Sequence, residues 1–182
     1  MQIFRLESGK DFEWLNCVNS RDYEILKCLD GTSQAKDWHP IRVRSVRPDE
    51  NSLGRSSDFP WLSSSAIALR WNALKSMKDV WQKRGEILLL RDEGGEELFV
   101  FNSMTVDALD EESSVLWRFP QSGRIGRIKE PVFVEDKILG LEIFRLPYLA
   151  SPTYVSQEFI DRYQACGLTG LEFFQVWPPS SG

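Results

Sequence analysis

The chain reads as a single α+β domain with mostly antiparallel sheet and two main amphipathic helices. Three observations predict this class. Short apolar runs broken by Gly, Pro, Asp and Asn recur along the 182 residues, the grammar of strands and turns. Two longer segments carry apolar residues at helical spacing, each opened by serine and closed by glycine. Hydrophobic residues make up 42% and charged residues 27%, which suits a globular chain able to build its own core.

Ile3 to Leu6 is a short strand at the terminus, and Tyr23 to Leu29 reads as a second, ended by the Asp30-Gly31 turn. Ile41 to Val46 alternates apolar and polar residues, the period of a half-buried strand. From Pro48 to Pro60 the composition turns to Asp, Asn, Ser, Gly and Pro, a long loop. Ser63 to Arg84 predicts the main helix, with Ile67, Trp71, Leu74, Met77 and Trp81 as its apolar stripe and Gly85 as a left-handed stop. Ile87–Leu90 and Leu98–Phe101 form a hairpin around a charged turn holding Gly94 and Gly95.

Val106 to Ser114 is acidic loop or a helical turn, and Gly123 to Lys129 is a basic link. Val132–Val134 and Ile143–Leu146 read as strands joined by the turn Glu135-Asp136-Lys137. A second helix from Gln157 to Cys166 is capped by Ser156 and ended by Gly167, with Phe159, Ile160, Tyr163 and Cys166 as its buried face. Leu171 to Trp177 is the closing strand, and 178–182 is a flexible Pro-Pro-Ser-Ser-Gly tail. The order serine, helix, glycine, strand occurs at 63–90 and again at 156–177. It is either a weak duplication, with lobes 1–102 and 103–177, or the common grammar of a helix–strand unit.

Twenty-two basic and 27 acidic residues give a net charge of −5, which disfavours general nucleic-acid binding. No run approaches the roughly 20 apolar residues of a membrane span, and the first residues lack the apolar core of a signal peptide. The expectation is a soluble cytoplasmic protein with no membrane partner. Cys17, Cys28 and Cys166 form no CxxC pair and read as reduced thiols, small residues of the core.

Catalytic groups are sparse. The one histidine, His39, follows Asp37 and Trp38 and reads as a loop residue ahead of Pro40, not a base oriented by Asp37. One His and scattered Cys make no zinc site, so no metal or other cofactor is expected. Gly123-x-x-Gly126 lacks the Gly-Lys-Ser/Thr ending of a phosphate loop. Arg124, Arg127 and Lys129, with Arg44, read as solvated cations and not as a nucleic-acid site. Binding is better served. Trp38 is a candidate anchor, since tryptophan is enriched in hot spots. Asp92, Glu93, Glu96 and Glu97 on the hairpin tip, with Asp107, Asp110, Glu111 and Glu112 beyond it, would steer a basic partner.

IFRLE at the start, 58–74, FNSMTVDALDEESS (101–114), FVEDKILGLEIFRLP (133–147) and YVSQEFIDRYQACGLTGLEFFQVW (154–177) carry a resemblance. It is to a family first catalogued as a domain of unknown function, later classed with the immunity proteins of bacterial polymorphic toxin systems. The resemblance is densest in the last two segments, and Asp11 to Pro60 fits it least. It implies a non-enzymatic inhibitor that binds a cognate toxin, and it brings no catalytic residues with it. A peptide- or self-binding regulatory module is the alternative, and an uncharacterised enzyme a more distant one. The sequence leaves the toxin and the oligomeric state open.

Overall fold

The N-terminal strand sits between two of the chain's last strands, so the two ends of the sequence build one sheet together. The computed structural model describes residues 1–149 and 151–179. Of the expected tail only Pro178 and Pro179 are described, and its other residues lie outside. In chain order the strands and helices begin with β1 (Ile3–Ser8), β2 (Trp14–Cys17), α1 (Asp22–Lys27), β3 (Ile41–Val46) and β4 (Ile67–Leu69). Next come α2 (Trp71–Ser76), α3 (Lys78–Arg84), β5 (Gly85–Asp92), β6 (Glu97–Ser103), β7 (Val115–Arg118) and β8 (Ile125–Glu130). The chain closes with α4 (Glu135–Ile138), β9 (Ile143–Arg145), β10 (Thr153–Ser156), α5 (Gln157–Ala165) and β11 (Leu171–Trp177).

The fold is α+β with mostly antiparallel sheets. One sheet has the order β11-β1-β10-β9, a second β2-β3-β5-β6-β4, and β7 and β8 form a separate two-stranded ribbon. Every pairing between these strands is antiparallel except β3 with β5. The two helix–strand repeats share a connection. β4, α2–α3 and β5 place two strands on either side of β6, and β10, α5 and β11 place two on either side of β1.

Side-chain alternation sorts the core into three layers. In β5 and β6, Leu88, Leu90, Leu98 and Val100 face one cluster with Leu15, Leu26 and Val43, while Ile87, Leu89, Phe99 and Phe101 face another. Both faces of these strands are covered, which is why they read as continuous apolar runs. The second cluster is the centre of the molecule. Trp81 of α3 meets Phe59 at 6.2 Å, Phe101 at 5.0 Å and Phe159 of α5 at 6.0 Å, so both helices lie between the two large sheets. On the far side of the first sheet, Ile3, Phe133, Phe144 and Tyr154 form the third cluster, on which the ribbon rests through Leu116, Ile125 and Ile128.

Several expectations are corrected. Residues 23–29 are not a strand; most of them lie in α1, where Leu26 is buried, Ile25 faces solvent, and Asp22 and Glu24 suit the positive end of the helix. The helix expected over 63–84 is divided. Ile67–Leu69 is a strand buried at all three positions, and the Ser63 hydroxyl caps a turn by accepting from Ala66 N at 3.0 Å. The helical part starts at Trp71 and breaks at Met77, whose φ of −123° lies outside helical values. Gly85 is no left-handed stop: its φ is 166°, extended backbone that opens β5. A Cβ there would lie 2.2 Å from the Asn102 carbonyl oxygen, so close strand approach is what demands glycine.

The basic link at 123–129 is mostly strand β8. Residues 132–134 join only through an isolated bridge between Leu109 and Phe133, and 135–137 begin a short helix. Cys166 and Cys28 are exposed, and of the three thiols only Cys17 is in the core. The second helix holds as expected: Ser156 Oγ accepts from Phe159 N, and Gly167 follows with φ of +64°.

Candidate partner-binding surface

Val115-Leu116-Trp117-Arg118-Phe119 alternates apolar residues at odd positions with a Leu and an Arg between them. A strand sends alternate side chains to opposite faces. Leu116 goes inward to the third cluster, while Val115, Trp117 and Phe119 are 45%, 43% and 48% exposed. Pro120 to Gly123 turn the chain. Phe119 N donates to Arg124 O at 2.9 Å, Gly123 N donates back to Phe119 O at 2.9 Å, and Gly123 takes the left-handed φ of +66°.

The two aromatic rings are held in place. They meet edge to face at 4.7 Å, a favoured geometry for the ring quadrupoles. Beneath them is Gly126, where a Cβ would approach the Trp117 ring to 2.2 Å and the Phe119 ring to 2.8 Å. Arg127 stands directly opposite Trp117 across the ribbon, so the two side chains leave the same face. Beside the ribbon is a groove of about 750 Å³, lined by Phe119 and Arg124, by Pro147 and Leu149, and by Glu24 and Lys27 of α1. Arg118, which also lines it, is neutralised by Glu111, which also accepts from Tyr148 Oη at 2.8 Å. The hydrogen bond from Arg118, then that from Tyr148, holds the Glu111 carboxyl below its usual value. Burial and the same carboxylate push the Tyr148 phenol up to about 12.

The sequence-predicted residues are placed differently. Trp38 is half-buried against the second sheet, and its Nε1 donates to Leu89 O at 2.8 Å. The tip acids are tied locally: Asp92 accepts from Gly94 N at 2.7 Å, Glu93 lies 3.5 Å from Arg42, Glu96 2.7 Å from Arg70, and Glu97 accepts from Trp71 Nε1 at 3.3 Å. Asp110 folds its carboxylate back onto Ser113 and the amide of Glu112, and those hydrogen bonds hold its carboxyl below the usual value. Among the described residues, Asp107 and Glu112 are the two acids of these groups whose carboxylates have no protein hydrogen bond. The two groups attach to different parts of the fold, the first beside Arg42 and Arg70, the second beside Arg118, Lys137 and Tyr148.

His39 is exposed, its Nδ1 3.0 Å from the Asp37 backbone carbonyl and not from its carboxylate. Among the described residues no group of three or more His, Cys, Asp or Glu is placed to hold a metal, and no helix is long and apolar enough to cross a membrane. The ribbon's aromatic face was not among the residues singled out from the sequence. Its signal, the alternation at 115, 117 and 119 ahead of a Pro–Gly turn, was nonetheless present.

Residues 89–177 match the immunity protein family Imm11. The segments that carry the resemblance most densely, 133–147 and 154–177, lie inside this Imm11 stretch. So does the whole ribbon, whereas an apolar groove beside Trp71, Leu74 and Ile87 lies outside it. No curated protein matches the chain. The Imm11 match starts within β5, so it takes in the third core layer apart from Ile3 and most of the first sheet but leaves out β1.

Proposed function

We propose that this protein is a cytoplasmic, non-enzymatic immunity protein that neutralises a bacterial toxin by binding it directly. The observation that carries the reading is the Imm11 match over 89–177. The exposed aromatic face within that stretch supports it, because contiguous apolar surface on a folded protein marks interaction sites more often than chance exposure does. The net charge of −5 favours approach of a cationic toxin, since steering follows the summed charge distribution and weakens as salt rises.

Co-expression with the product of the neighbouring gene tests this reading. A stoichiometric complex and restored host growth are expected, and neither complex nor protection would end it. Reversing Asp107 and Glu112, whose carboxylates have no hydrogen bond among the described residues, slows association if they steer a basic toxin. Unchanged on-rates would remove them from that role. A peptide- or self-binding module remains the second reading, favoured by the open edge of the seven-residue strand β11, where Phe174 is exposed. Concentration-dependent dimerisation without toxin binding would decide for it.

A further inference from the structure

We propose that the outer face of the β7–β8 ribbon is the docking surface for the toxin, and that it receives an acidic patch of that partner. The inference rests on the immunity reading above and adds where the contact lies and what chemistry it selects.

The composition of the face is that of a binding hot spot. Trp and Arg are the residues most enriched where a few side chains carry most of the binding energy. Here Trp117 and Arg127 are opposite neighbours, with Phe119 and Arg124 toward the tip. The face is also preorganised. Packing over Gly126 and against Phe119 fixes the Trp117 ring before any partner arrives, which lowers the ordering cost of association.

Charge identifies the occupant. Arg118 is taken by Glu111, but neither Arg124 nor Arg127 has an ion-pair partner among the described residues. Glu130, opposite Val115, is the one acid in the two strands. A cationic aromatic face on a chain of net charge −5 is a local inversion of sign. A guanidinium recognises carboxylates and phosphates through paired N–H donors. Of the two, a protein carboxylate patch fits better. Val115, Phe119 and Leu149 add apolar surface that a phosphate backbone does not use. The rest of the molecule repels a polyanion, which carries one charge per about 1.7 Å of duplex. An acidic patch is compatible with a toxin that is basic overall, because steering reads net charge while docking reads the contact.

The test compares wild type, Trp117→Ala and the double variant Arg124→Glu/Arg127→Glu for binding to the neighbouring-gene toxin. Thermal unfolding of each free protein serves as the control for folding. Wild type is expected to protect amides 115–130 from hydrogen exchange in the complex. Each variant is expected to weaken binding by about 30-fold or more, the size of a hot-spot loss. The double variant melts like wild type because both arginines are exposed. If wild type binds and both variants bind equally well, this surface is wrong and the immunity reading stands. If wild type neither binds nor protects, both fall. If a single-stranded oligothymidylate of 20 nucleotides protects the ribbon while toxin binding ignores the variants, the face is a nucleic-acid site and the inference is overturned.

Discussion

Glu13 is only 6% exposed yet sits in a charged network, and Arg70 is the reason. Arg70 Nη1 lies 2.5 Å from its carboxylate, and Ser57 N donates to the same oxygen at 3.0 Å. Burial alone would push this carboxyl up, but the hydrogen bonds from Arg70 and Ser45 and the attraction of Arg70 bring it below its usual value. A folded-state pKa below the unfolded one contributes stability that is present above the unfolded pKa of about 4.3 and lost as the pH falls through the folded value. Glu13→Gln therefore lowers Tm at neutral pH and flattens its decline between about pH 5 and pH 3, the span in which a stabilised carboxylate is lost. Parallel slopes for variant and wild type would show that Glu13 does not drive acid unfolding. The cysteines divide in the same residue-by-residue way. Cys17 is buried and its thiol is pushed up to about 11 by burial, then by Asp22, whereas Cys28 and Cys166 are open to solvent. Since the thiolate is the reactive form, a disulfide reagent at mildly alkaline pH is expected to modify Cys28 and Cys166 in the native protein. Cys17 should react only after denaturant is added. Rapid reaction in the Cys28→Ser/Cys166→Ser double variant would contradict the buried placement.

Between elements, the end of α3 is fastened to the segment before β9 by Arg84, whose Nε reaches Glu142 at 2.5 Å and whose Nη2 donates to Gly140 O at 2.5 Å. Arg84→Met leaves the buried Glu142 carboxylate without its cation, a loss of about 3–5 kcal/mol for a pair of this kind, and the double variant with Glu142→Leu recovers part of it. Denaturant midpoints read both, and a single variant within about 1 kcal/mol of wild type, the range of exposed pairs, would reduce the pair to surface decoration. How much of this level was legible follows from what each segment had to offer. β3 has a clear period of two between prolines, and the β5–β6 hairpin, α5 and β11 carry apolar segments marked off by glycine or serine, so they lie where the sequence places them. Tyr23 to Leu29 does not, because its apolar residues satisfy either period and only packing of Leu26 decides for helix. Residues 63–84 continue a helical spacing backwards into Ile67–Leu69, whose choice of strand is made by a distant partner, Phe99–Phe101. The ribbon is the instructive case. Gly123, Arg124 and Gly126 look like a link until Trp117 is seen to occupy the space that Gly126 leaves, so strand and aromatic face become visible together.

At the scale of the whole molecule, the Imm11 stretch is not a self-sufficient half. Its strands β9 and β10 pair with each other, but β10 and β11 are separated by β1, and no pairing joins β11 to any strand except β1 among the described residues. A cut between 102 and 103 removes that strand from both neighbours. The central cluster is divided as well. Leu6, Phe59, Ile67, Leu69, Ala73, Met77, Val80 and Trp81 come from before residue 89, and Ile143, Val155, Phe159, Ile160 and Tyr163 from after it. Trp81 packs on Phe159 across that divide. Removing the first group exposes the inner face of α5 and the helix-facing side of the first sheet, each large side chain costing roughly 1.5–3 kcal/mol of lost burial. Against a typical net stability of about 5–15 kcal/mol, that loss cannot be absorbed. A fragment of residues 89–177 is therefore expected to show no cooperative thermal transition and little amide protection, while the full chain unfolds in one step. The ribbon would then lose Ile3 from the platform under its inner face, and Phe144 and Tyr154 would no longer be held in a folded sheet. Toxin binding by this fragment should be weaker than by the full chain even though every proposed contact residue is present. A fragment that melts cooperatively and binds at full strength would show that the N-terminal half serves something other than support, and the function of that half would then have to be sought separately.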